Sequence, residues 1–214
     1  MSRRYCWLAA FLAIAALVVR GAGAAQQLPT LEPLDRNGRV TYYIADGMRG
    51  SEYRASDRQL ATWALGAWER ATNGALRFEP SPEEDALIRI YWVPASGGQY
   101  GEMRSFETNG RAAAEVYIRP DTDALGDDIS LLASRDPLMR DTVVYLTCVH
   151  ELGHALGLPH TDDYRDIMYF FGYGGDIPGF FGRYRTRLTH RDDISGTSGL
   201  SEGDVARVVR LYSK

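Results

Sequence analysis

Cysteine is nearly absent from this chain, with two residues in 214. Cys6 falls in an N-terminal apolar run, and once that run is removed Cys148 has no partner. An internal disulfide is then excluded, and the fold must rest on its core, on metal, or on both. Histidine is scarce too, at four residues. Internal repeats and low-complexity stretches are missing, which excludes solenoids and disordered tails. Only one apolar run is long, and at fourteen residues (Cys6 to Val19) it falls short of the roughly twenty needed to span a bilayer.

That run has the layout of a secretory signal. Arg3 and Arg4 precede it, and the small residues Gly21 to Ala25 follow it. Cleavage near Ala24 or Ala25 is expected, with 1–25 as signal peptide, 26–38 as a short lead-in or propeptide, and 39–214 as the folded domain. The mature protein is then expected to be secreted or periplasmic, with no stable membrane association. Signal removal takes three arginines and no acid, so the net charge moves from −4 to −7. Such an acidic balance argues against nucleic acid as a partner.

With 45% hydrophobic residues the rest can bury one core. Arg39 to Ile44, Ala75 to Phe78, Leu87 to Val93 and Ala114 to Ile118 read as strands. Gly97, Gly98 and Gly101 mark a loop. Leu60, Trp63, Ala64, Ala67, Trp68 and Ala71 recur at helical spacing behind a Ser56 or Asp57 cap and end at Asn73-Gly74. Asp141 to Gly157 and Ser201 to Tyr212 read as two further helices. The order predicts a single α/β domain with a mixed sheet. A single copy of the chain is expected to suffice.

The most informative stretch runs from His150 to His160. Two histidines four apart on a helix are offset by about 40° and one turn, so His150 and His154 leave the same face. Gly157 permits the left-handed conformation that ends the helix, and Pro159 stops it from resuming. His160 can therefore return to the same point. Three imidazoles suit zinc and leave a fourth position open, the catalytic arrangement. Glu151 sits beside the first ligand without ligating and is the candidate general base. Cys148, roughly opposite His150 on the helix wheel, reads as a small buried apolar residue.

These residues resemble the metzincin metallopeptidases. His150, Glu151, His154, Gly157 and His160 match the long zinc motif, and Asp166-Ile167-Met168-Tyr169 stands where the family's Met-turn follows. The Met-Tyr pair and its spacing, with Leu200-Ser201, Asp204 and Leu211-Tyr212, are most similar to the matrixin branch. The resemblance implies a mixed twisted sheet with two main helices and a C-terminal helix. It implies a secreted zinc-dependent endopeptidase that cleaves protein or peptide substrates with a zinc-activated water. It also implies Met168 as an apolar floor beneath the metal, and Ala114 to Ile118 as the edge strand that pairs with substrate.

Departures from the branch are visible as well. Phe170 replaces the usual Pro and rules out a Tyr ligand there, and Gly203 replaces the first of two adjacent Asp. Only His190 lies outside the motif, too few for the second, structural zinc of many matrixins. Asp121, Asp123, Asp127 and Asp128 could offer oxygens to calcium, although a solvated acidic turn is the preferred reading. Glu32 or Asp35 could block the cleft, the alternative being a plain linker. Two non-proteolytic readings stay open: a zinc-binding protein without catalysis, which Glu151 disfavours, and a zinc hydrolase of other substrates. Tyr169 to Gly199 is rich in aromatics and glycine, and Arg183, Arg185, Arg187 and Arg191 give it positive charge. It is either a surface insertion packed on itself or the wall of the primed-side specificity pocket.

Overall fold

A computed structural model describes residues 32–97 and 99–213; the expected signal segment and Gly98 lie outside them. Five strands form one mixed sheet: β1 (Arg39–Ile44), β2 (Arg77–Pro80), β3 (Ile88–Trp92), β4 (Gly101–Thr108) and β5 (Arg111–Ile118). Their order is β2-β1-β3-β5-β4, parallel except for the antiparallel β4–β5 pair. One sheet face is apolar: Val40, Ile44, Ile88, Ile90, Val116 and Ile118 are all buried. Period-two alternation puts these residues on one side, where α1 (Asp57–Ala71) and α3 (Pro137–Ala155) cover them. Trp68 of α1 donates its indole N–H to Val149 O of α3 at 3.0 Å, fixing the two helices against each other.

The edge strand differs from expectation. The segment Ala114 to Ile118 is interior, paired with both β3 and β4, and the free edge belongs to β4. β4 begins at Gly101, in a stretch read as loop. It alternates between solvent and cleft, so it lacks the apolar signature of a buried strand. Its turn is Asn109-Gly110, both at positive φ (51° and 70°), which suits a two-residue hairpin loop.

The helix of the histidine motif starts at Pro137, earlier than the expected Asp141. Asp136 caps it by accepting from Leu138 N, and Pro137 takes the first position, where its missing N–H costs nothing. Directly before it lies an unanticipated helix, α2 (Asp127–Arg135). Its first turn holds Asp127 and Asp128, where the helix dipole favours acids. Asp121 caps the preceding 3₁₀ turn and Asp123 accepts from Ser130 Oγ, so the acidic segment is used locally.

The long stretch after the Met-turn is not a detached insertion. It contains α4 (Ile177–Arg185), whose Phe180, Phe181 and Tyr184 are buried in the main core. Its arginines do not form a free positive patch. Arg185 pairs with Asp136, Arg191 with Asp141, and Arg183 and Arg187 lie over Tyr164 and Tyr184. The last helix is α5 (Glu202–Tyr212), and its Tyr212 hydroxyl donates to Leu156 O and accepts from Leu34 N. The lead-in thus runs behind the end of α3. Asp35 is held by Arg111 at 2.7 Å and by the amides of Asn37 and Arg39.

Arg140 of α3 is buried and paired with buried Asp57 of α1, and Asp141 extends the pair to Arg191. Removing one partner strands the other charge in the core. Arg140→Met should therefore destabilise the fold by about 3–5 kcal/mol, measured as a shift of the urea midpoint. A change below about 1 kcal/mol would mean that water or another group replaces the guanidinium.

Candidate metal centre and cleft

His150, Glu151 and His154 project from the last turns of α3. Gly157 stops the helix at φ +99°, and the chain returns through Pro159 to His160. The three imidazoles converge, and one ligand atom from each lies within 4.8 Å of the others. Their tautomers follow from carbonyl partners, which can only accept. His150 Nδ1 donates to Ile167 O at 2.6 Å and His154 Nδ1 donates to Leu158 O at 2.9 Å. Both Nε2 atoms therefore keep a lone pair for the shared point. Burial pushes the His150 imidazole down to about 3 and His154 to about 4, with a smaller fall at His160. The rings are neutral near pH 7, the form that binds a cation. Three convergent neutral imidazoles with oriented outer nitrogens fit zinc.

Glu151 is 7% exposed and lines the cleft beside His150. Burial raises its carboxyl to about 8, opposed by the nearby Arg119 charge. A cation at the histidines would oppose that rise further. Met168 is fully buried against α3 at Gly153, where any side chain would collide with its sulfur. Gly153 is therefore required by the close approach of the Met-turn. Phe170 lays its ring over His160, with centroids 4.7 Å apart. Cys148 is free, fully buried and pushed up by burial, an inert packing residue as expected.

From the histidines a cavity of about 520 Å³ runs into the protein between α3, the start of β4 and the α4 segment. Leu146 and Thr147 line one side, and Phe171, Ile177, Phe180 and Phe181 line the other. Tyr100 stacks on Phe181 across its mouth, with centroids 5.4 Å apart. The four residues singled out in the sequence, His150, Glu151, His154 and His160, share this cleft with Tyr100 and Gly101, which were not expected there. Gly101 matters because a Cβ there would stand 2.6 Å from Glu151 Cγ and 2.8 Å from its Oε1. Gly101→Ala should displace the Glu151 carboxyl while sparing metal and fold. A fall on the order of 10²-fold in kcat/KM is expected for a misplacement near 1 Å. Wild-type kcat/KM in Gly101→Ala would show that Glu151 needs no such clearance.

A mixed sheet, a histidine-bearing helix and a Met-turn beneath it define a metzincin-type centre. The chain belongs to the matrixin family, whose profile matches residues 34–212. It is similar to human matrix metalloproteinase-15, at 32% identity over 127 residues, covering 55% of this chain and 18% of that protein. Stromelysin-2 of Rattus norvegicus is 32% identical over 134 residues, covering 61% of this chain and 25% of its own length. Macrophage metalloelastase of Oryctolagus cuniculus is 30% identical over 148 residues, covering 66% and 29%. The chain thus spans less than a third of the length of these relatives.

Proposed function

We propose that this chain is an exported zinc-dependent endopeptidase, with zinc held by His150, His154 and His160 and Glu151 as general base. One observation carries the reading: three imidazoles converge beside a buried carboxyl, in the wall of a largely apolar cavity. Membership of the matrixin family supports zinc and peptide substrates. The signal-like residues 1–25 support a secreted or periplasmic location. No helix among the described residues is long and apolar enough to cross a membrane. The acidic surface supports protein substrates over nucleic acid, and the site draws all its residues from one copy.

Substrate binding follows from the edge of the sheet. Among the described residues β4 pairs only with β5, so its other edge is available to pair with an extended peptide. Gly101, Glu102 and Met103 of β4 line the cleft, which lays such a peptide across the histidines. His150, His154 and His160 would hold the zinc, which would supply Lewis acidity toward the scissile carbonyl and the attacking water. Glu151 takes the proton of the attacking water and passes it to the leaving amine. The buried surroundings of Glu151 keep its proton affinity high enough for both transfers.

The aromatic cavity receives the side chain just after the cleaved bond. Deleting residues 174–183 would pull Phe180 and Phe181 out of the core, so a point change is the cleaner probe. Phe171 is only half-buried in the cavity wall. Phe171→Ala should raise kcat/KM for peptides with bulkier side chains at that position relative to smaller ones, at unchanged zinc content. A uniform change across the peptide series would remove this wall from specificity. The activity itself is tested by mass spectrometry of a denatured protein mixture. Internal cuts should appear, vanish with a zinc chelator and return with added zinc. Cuts indifferent to the chelator, or no cuts at all, would contradict the proposal.

A further inference from the structure

His150 is tied to the C-terminal helix through the backbone of a single residue, Ile167. Ile167 O accepts from His150 Nδ1 at 2.6 Å, and Ile167 N donates to Asp204 Oδ2 at 2.8 Å. Asp204 is fully buried, and Asp166, next to that same peptide, is 3% exposed. Two buried carboxylates this close require a cation between them. Arg207 provides it. One nitrogen, Nη2, contacts Asp166 Oδ2 at 2.6 Å and Asp204 Oδ1 at 2.8 Å. Ser201 completes the set, donating its hydroxyl to Asp166 and its backbone N–H to Asp204 at 2.9 Å.

Gly203 belongs to the same arrangement. A Cβ at that position would stand 2.9 Å from Asp166 Oδ1 and 3.2 Å from Arg207 Nη1. The glycine that replaces the first of two adjacent acids is thus the residue that leaves room for Asp166 and Arg207. Arg207 bridges the Asp166 carboxylate on the Met-turn to Asp204 on the helix.

We propose that Arg207, acting through Asp166 and Asp204, is a positioning residue for the His150 imidazole. This rests on His150 being a metal ligand. Arg207 fixes the Asp204 carboxylate, which holds the Ile167 N–H. That hydrogen bond fixes the backbone of Ile167, and with it the position of the carbonyl that accepts from His150 Nδ1–H. The His150 ring is thereby locked in orientation and tautomer, and its Nε2 becomes a better donor.

The test uses the full mature chain. Zinc affinity is measured by competition with a chromophoric chelator, and ligand geometry from the visible d–d bands of the cobalt(II)-substituted protein. Arg207→Met should weaken zinc about 10–100-fold, as for other groups that orient metal-binding histidines, and shift the cobalt bands. Arg207→Lys should restore most of both, because both contacts come from one nitrogen. Arg191→Met, which breaks a pair distant from the Met-turn, should lower Tm while leaving the cobalt spectrum unchanged. Wild-type zinc affinity and an unchanged spectrum in Arg207→Met, whatever its Tm, would overturn the proposal. Should Arg207→Met fail to fold, Arg207→Lys against Gly203→Ala decides. Gly203→Ala, which crowds Asp166, should weaken zinc where Arg207→Lys does not, and equal affinities would count against the inference. Failure of the metal-site reading looks different: the wild type would bind no zinc, or His154→Ala would bind it as well as wild type.

Discussion

Replacing Glu151 with glutamine should lower kcat on the order of 10³- to 10⁴-fold, the range for loss of a positioned general base. Zinc content should stay near one per chain, since the amide touches none of the groups that orient the imidazoles. Glutamine nearly matches the shape of glutamate, so the packing against Gly101 survives and the change isolates proton transfer. Tm should not fall. A small rise is expected, because burial disfavours the charged carboxylate that glutamine removes. The check is turnover of a quenched peptide beside metal analysis of the same preparation. Wild-type turnover at one zinc per chain would eliminate Glu151 as the base.

His154→Ala should behave in the opposite way, losing the metal first and activity as a consequence. His154 stands between the other two rings, with centroids 4.8 Å from His150 and 4.5 Å from His160. Its Nδ1 also secures the turn at Leu158 that brings His160 back. Removing it takes away one donor and loosens another. Free zinc at a thousandfold excess over Kd should stabilise the wild type by about 4 kcal/mol through mass action. The variant should show almost none of that increment. Thermal melts with and without zinc measure it, and an equal zinc-dependent rise in both proteins would exclude His154 as a ligand.

The site was more legible in the sequence than the fold around it, for a physical reason. His150, Glu151, His154 and Gly157 are related by one helix and its stop, and Pro159 and His160 follow within three residues. Short-range geometry fixes what they can do. The Met-turn was legible through resemblance, and its contact with Gly153 only through the structure. The edge strand was misplaced because β4 faces solvent and cleft, so charged and apolar residues mix along it. A hairpin signal was nonetheless present at Asn109-Gly110. The early start of α3 was also written in Asp136-Pro137, a cap followed by a first-turn proline.

Other features could not be read locally. In α4, glycines at 179 and 182 interrupt the helical pattern, and its aromatics pack on residues from far away in the chain, Phe181 on Tyr100 and Tyr184 on Tyr145 of α3. Arg183 to Arg191 look like a basic patch until their partners at Asp136, Asp141, Tyr164 and Tyr184 are known. Gly203 looked like the loss of a charge. Only the structure shows that Asp166, from another element, fills the space beside it.

The central claim is that three histidines of one chain hold a single zinc beside Glu151. Anomalous diffraction from zinc-loaded crystals, collected on both sides of the zinc absorption edge, tests it most directly. The account predicts one strong peak at the cleft, about 2.0–2.1 Å from a nitrogen of each of His150, His154 and His160, with the Glu151 carboxyl outside bonding distance. A peak elsewhere, a peak bonded to Glu151, or no peak from zinc-saturated protein would contradict it.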